Sequence, residues 1–141
     1  MAEPASVVIH RRVQWFDTDS STKYHNTAPL RFMEEAEAVL LDRLGIVKAV
    51  YGRLPRRKVT VDYLRPLRFW DPVEVSLAVE AVGGSSVTYG FKIAAGGEVC
   101  AEGRVVAVLI SDAGRPRRWP DEYRRLLERS GRLAGDGGPT G

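Results

Sequence analysis

The sequence predicts an α+β domain in which one long amphipathic helix lies on an antiparallel sheet. Two patterns carry that expectation: one apolar stripe at helical spacing between Pro29 and Leu44, then segments whose apolar residues alternate with polar ones at period two. Length is the third observation, since 141 residues suffice for one core and not for two.

The opening stretch from Val7 to Phe16 is β-prone, with Val13 and Trp15 alternating with polar neighbours, and reads as strand one. A polar loop from Asp17 to Thr27 follows. Pro29 supplies the fixed φ of a first helical turn. Leu30, Met33, Leu40, Leu41 and Leu44 form the stripe, and Gly45 is placed to cap the helix C-terminus. Glu34, Glu35 and Glu37 are expected to favour the positive end of the helix dipole.

After a short irregular connection come Val59/Val61/Tyr63, Val73 to Ala81, Val87 to Ile93 and a long last strand from Val99 to Ile110. Gly83-Gly84 and Gly96-Gly97 separate strands at hairpin distance, which predicts an antiparallel meander. Pro66 and Pro72 bracket a turn or edge crossing. Trp119 to Arg129 reads as a short helix with Pro120 near its start. Residues 1–130 are thus expected to form one domain, and 131–141 a disordered tail.

Composition narrows the function. With 44% hydrophobic and 28% charged residues the chain matches folded globular proteins. Cys100 stands alone, so no intrachain disulfide can form, and the N-terminus lacks the regions of a signal peptide; a cytoplasmic setting is expected. No apolar run approaches the roughly 20 residues that cross a bilayer. The net charge is only +3, but arginine is concentrated in Arg53-Arg56-Arg57-Lys58, Arg65/Arg68 and Arg115-Arg117-Arg118, clusters that suit a phosphate-bearing partner or a solvated surface. Aromatics do not interleave with these bases, which argues against nucleic acid. His10, His25 and Cys100 show no ligand spacing, and neither a phosphate loop nor a Gly-x-Ser-x-Gly elbow occurs, so neither metal nor cofactor is expected.

The segment Asp17-Thr-Asp-Ser-Ser-Thr-Lys-Tyr-His-Asn-Thr-Ala-Pro-Leu-Arg-Phe-Met-Glu-Glu-Ala36 resembles the signature of the hydroxybenzoyl-CoA thioesterase branch of the hotdog superfamily, where a strand ends in an Asp-x-Asp loop leading into the central helix. The stretch Arg57-Lys-Val-Thr-Val-Asp-Tyr-Leu-Arg-Pro-Leu-Arg-Phe-Trp-Asp-Pro-Val-Glu-Val75 looks like that family's second and third strands, and the likeness spans roughly residues 7 to 130. It implies a hotdog fold, a central helix wrapped by a five-stranded antiparallel sheet with a short C-terminal helix here, and a homodimer or dimer of dimers with active sites at the seam. The implied reaction is hydrolysis of an acyl-CoA or acyl-carrier-protein thioester.

By position, Asp19 matches the family's nucleophile or general base, and the backbone amide of Asn26 falls where an oxyanion donor is needed. His25 stands to orient substrate, act as base or cap the helix. Ser21 or Thr22 replaces a glycine found in several members, so the choice between Asp19 and His25 as base stays open. Tyr24 and Thr27 are candidate substrate contacts, and Arg57, Lys58, Arg65 and Arg68 are candidates for CoA phosphates. Another hotdog branch uses a helix carboxylate, which Glu34, Glu35 or Glu37 would supply. Asp17, His10 and Cys100 are read as structural. Two other functions stand beside hydrolysis: hydration or dehydration of an enoyl thioester, and acyl-CoA binding without turnover.

Overall fold

The computed structural model describes residues 2–21 and 23–136. The alternating segments form five strands, β1 (Ser6–Arg12), β2 (Arg56–Tyr63), β3 (Pro72–Val82), β4 (Ser86–Ala95) and β5 (Glu98–Val108), all antiparallel in the order β1-β3-β4-β5-β2. Only β3, β4 and β5 form the expected meander. The chain instead carries β2 to the far side of β5, so residues 64–71 must cross the end of the sheet to reach β3.

Helix α1 (Ala28–Arg43) lies across β1, β3 and β4. Its Phe32, Met33, Ala36, Leu40 and Leu41 are buried against Ile9, Val75, Leu77, Tyr89, Phe91 and Ile93. Pro29 sits in its first turn, and Gly45 ends it at φ +79°, its amide donating to the Asp42 carbonyl. The connection expected to be irregular contains α2 (Val47–Val50), and α3 (Asp121–Arg129) follows Pro120 as expected. Gly96 and Gly97, both at positive φ, turn β4 into β5 by a two-residue hairpin.

Three expectations change. Strand one stops at Arg12, and a 3-10 turn at Trp15–Asp17 takes over, leaving Trp15 and Phe16 each 69% exposed while Val13 is buried. The first turn of α1 holds no acid; Glu37 instead lies inside at 1% exposure. The tail expected from 131 is ordered as far as 136: Arg132 bridges Ser6 in parallel, and Leu133 N–H donates to the Ser6 carbonyl at 2.8 Å. Residues 137–141 lie outside the described residues. The 131–136 strap thus covers the outer edge of β1, whereas β2 on the opposite edge is largely exposed, Val59 and Tyr63 included.

Candidate active site

The N-terminus of α1, the loop before it and the 64–71 crossover meet at one end of the sheet. Tyr24 N–H donates to the Leu67 carbonyl at 2.8 Å, and Lys23 bridges Arg68, so the two loops are laced together. Thr18 pairs with Tyr24 and Asp19 N–H donates to the Lys23 carbonyl at 3.1 Å, so 18–19 and 23–24 run side by side.

Asp17 and Asp19 have opposite environments. Asp17 is buried, and its carboxylate accepts the Gln14 amide at 2.7 Å, Arg31 Nε at 2.5 Å and Arg31 Nη2 at 2.6 Å. These three contacts tie it to its own turn and to the helix, as the turn reading implies. Asp19 is exposed and accepts the Ser21 amide at 2.8 Å and the Ser21 hydroxyl at 2.5 Å. The Ser21 hydroxyl, then its amide, and to a smaller degree the charge of His25 hold the Asp19 carboxyl below the ordinary carboxylate range. It stays ionised near neutrality, as a base or nucleophile must.

His25 accepts the Thr27 amide on Nδ1 at 3.1 Å. An amide can only donate, so the proton of the neutral ring sits on Nε2, with the Thr27 hydroxyl 2.8 Å from Nδ1. The contact is made with Thr27 just ahead of the helix rather than with an amide of its first turn, and it leaves Nε2 available to a substrate. Asn26 is exposed; its carbonyl accepts the Tyr63 hydroxyl, and among the described residues nothing accepts its amide proton. An unpaired N–H at the positive end of a helix is what a developing oxyanion requires.

The other candidates divide. Tyr24 stacks at 6.1 Å on Tyr63, and Arg65 and Arg68 share this end of the molecule, with Arg65 bound to Glu98 at 3.2 Å. Arg57 and Lys58 begin β2 and do not join them; from 57 to 63 a strand extends about 20 Å. Sequence reasoning missed Arg31, whose guanidinium lies 4.9 Å from the Phe16 ring and 4.6 Å from Phe32, and it missed Tyr63. The i,i+4 pair Arg31–Glu35, 2.6 Å apart, was the one local signal for the former.

The hollows on the surface of the described residues include these two. The larger, about 580 Å³, lies on the outer face of the sheet and holds none of the candidate residues. The smaller, about 330 Å³, opens beside α1 between Glu34, Glu37, Tyr51, Leu54, Arg56 and Ile110. Among the described residues no helix is long and apolar enough to cross a membrane.

Comparison with known proteins places this arrangement. The family profile described as "Thioesterase-like superfamily" matches residues 13–127. A thioesterase from Thermus thermophilus, solved in complex with coenzyme A and Zn, is 28% identical with a TM-score of 0.77, covering 85% of this chain and 90% of that one. A predicted thioesterase from Bacillus stearothermophilus is 26% identical with a TM-score of 0.78, covering 86% and 93%. The 1,4-dihydroxy-2-naphthoyl-CoA thioesterase of Synechocystis, 17% identical with a TM-score of 0.75 over 86% and 95%, shares the fold. No curated protein matches the chain in sequence.

Proposed function

This chain belongs to the thioesterase-like superfamily, and on that footing we propose that it hydrolyses acyl-coenzyme A thioesters at a site completed by a second copy of itself. The observation that carries the reading is the unpaired amide of Asn26 at the entry to α1, on the same loop as the exposed, ionised carboxylate of Asp19. The substrate carbonyl sits against that amide. Asp19 takes a proton from water as the hydroxide adds to the carbonyl carbon, and collapse of the tetrahedral intermediate expels a thiolate, which recovers the proton. A thiolate leaves with little acid assistance, so a site poor in polar groups suffices.

Coenzyme A is favoured over a carrier protein because a 28%-identical structural neighbour was solved with coenzyme A bound. The acyl group runs along α1 toward the hollow at Glu34 and Tyr51. A cytoplasm, which keeps thiols reduced, suits the free thiol product.

The two sheet edges support a second copy. The strap at 131–136 covers β1, while β2 keeps an open row of backbone groups beside exposed Val59 and Tyr63. Two β2 edges paired antiparallel about a two-fold axis join the sheets and bring Arg57 and Lys58 of one copy to the Tyr63–Asn26 end of the other. That placement gives the phosphate-binding cations a role they cannot have within one chain.

The test is thiol release from a panel of acyl-CoA thioesters, with the acyl-carrier-protein thioesters run alongside. Hydrolysis that is lost in Asp19→Asn is expected. Absence of thiol release across the panel, or full turnover in both Asp19→Asn and His25→Ala, would rule the reading out. A change in enoyl absorbance without thiol release would instead assign a hydratase, and tight acyl-CoA binding without turnover a sensor. Val59→Lys is expected to yield a folded monomer with little activity, read by sedimentation.

A further inference from the structure

We propose that Arg31 is a positioning residue for the candidate catalytic loop: its two-pronged grip on Asp17 fixes the base of the loop that carries Asp19, His25 and Asn26. The inference rests on the hydrolase reading above and adds a residue that reading does not use.

The loop is tied at both ends to a single node. Asp17 opens it, and the Asp17 carbonyl accepts the His25 amide near its close, so residues 17 and 25 are held together by backbone. The Asp17 carboxylate is in turn fixed from α1 by Arg31 through Nε at 2.5 Å and Nη2 at 2.6 Å. Arg31 has little freedom of its own. Its guanidinium lies over both Phe16 and Phe32, and Nη1 donates to Glu35 at 2.6 Å. One planar cation therefore joins the 3-10 turn, the loop and the helix.

Asp19 itself is exposed and its carboxylate is held by Ser21, which is exposed too, so nothing buried holds it directly. Its position is inherited from the node beneath. Misplacement of a reacting group by about 1 Å costs on the order of a hundredfold in rate, which makes such a node matter to turnover before it matters to substrate affinity. A lysine would keep the charge beside Asp17 but lose the planar fork that fixes both carboxylate oxygens.

The experiment compares wild type with Arg31→Lys and Arg31→Ala as full chains, with Arg104→Lys, an ion-pair change on the outer sheet face, as the control. For Arg31→Ala, kcat for an acyl-CoA substrate is expected to fall about a hundredfold with KM little changed. Millimolar guanidinium is expected to restore part of that kcat by filling the vacated space between Phe16 and Phe32, and to do nothing for Asp17→Asn. Arg31→Lys is expected to fall about tenfold, while Arg104→Lys keeps wild-type kcat. Hydrogen exchange supplies a readout independent of activity: amides of residues 18–25 should exchange faster in Arg31→Lys, with those of β3 and β4 unchanged.

A folded Arg31→Lys with wild-type kcat and wild-type loop exchange overturns the proposal. So does a loss in Arg31→Ala that tracks the unfolded fraction and ignores guanidinium. If the wild type hydrolyses no thioester, the function falls, and loop exchange alone then decides whether Arg31 holds the loop.

Discussion

Glu37 and Arg56 face each other in the interior beside α1, with Arg56 Nη1 and Nη2 donating to the two carboxylate oxygens at 2.9 and 2.6 Å. The Glu37 side chain is 1% exposed and that of Arg56 26%, so the pair is largely removed from solvent. Tyr89 lies alongside. Its hydroxyl sits next to Glu37 without a well-aligned hydrogen bond, and burial first, then the Glu37 charge, push its ionisation well above the ordinary tyrosine range.

Breaking that pair from one side leaves a buried carboxylate uncompensated. Arg56→Met is expected to lower the free energy of unfolding by about 3 kcal/mol. Glu37→Leu combined with Arg56→Met should recover most of the loss, because burial of the pair costs nearly what its attraction returns. Tyr89→Phe should change stability by less than about 1 kcal/mol. Urea midpoints at constant slope measure all three, and a double variant as weak as the single one would contradict the account.

The pH dependence follows from Asp19. Its carboxyl is held low in the folded protein, so its share of stability is present above the ordinary carboxylate pKa and is lost as pH falls through the folded value. The group is fully exposed, and kinetics is the better readout. The acid limb of kcat/KM is expected below the ordinary carboxylate range, and Ser21→Ala should move it upward by removing the largest stabilising contact. A limb near neutrality that disappears in His25→Ala would transfer the base role to His25.

Local physics was legible in the sequence, and distant pairing was not. Pro29 and Gly45 bounded α1 correctly because a fixed φ and a left-handed cap are properties of single residues. Period two located β3, β4 and β5, yet nothing local says that β2 returns beyond β5. Asp19, His25 and Asn26 could be proposed together from the sequence because they share one loop. Arg31 reaches Asp17 across 14 residues and Arg56 reaches Glu37 across 19, contacts between separate elements that no local pattern encodes. Residues 131–136 were expected to belong to a disordered tail, whereas Gly135 packs so closely on β1 that a Cβ would fall 1.8 Å from the Val8 carbonyl oxygen.

A second close approach holds β2 to the sheet. A Cβ on Gly103 would lie 1.9 Å from the Thr60 carbonyl oxygen and 3.0 Å from the Phe91 ring of β4, and the Thr60 carbonyl cannot retreat without parting β2 from β5. Gly103→Ala is therefore expected to cost about 2 kcal/mol or more and to weaken self-association through β2. Gly90→Ala makes a useful contrast. Its Cβ would meet only the Glu80 carboxylate, on a flexible side chain that can swing outward, so a change within about 0.5 kcal/mol is expected. Thermal unfolding of the two variants side by side decides the point.

The strap bears on which edge of the sheet is available to a partner. Along β1 it places Gly131 N–H on the Glu3 carbonyl at 2.8 Å and Leu133 N–H on the Ser6 carbonyl, and Asp136 binds Arg11 at 2.6 Å. Backbone groups of β1 that would otherwise face water are thereby paired, which leaves β2 as the edge open to a second copy. A chain ending at Ser130 loses that cover, and an uncovered β1 is a template for further strands. Once both edges are open, association need not close at a dimer, because an edge pairing with an unlike edge propagates. Light scattering during size-exclusion chromatography should show the truncated chain forming species that grow with concentration while the full chain stays at one size. Val59→Lys added to the truncation should halt growth through β2 and leave only association through β1. A truncated chain of unchanged size would show instead that the strap stabilises β1 without guarding it.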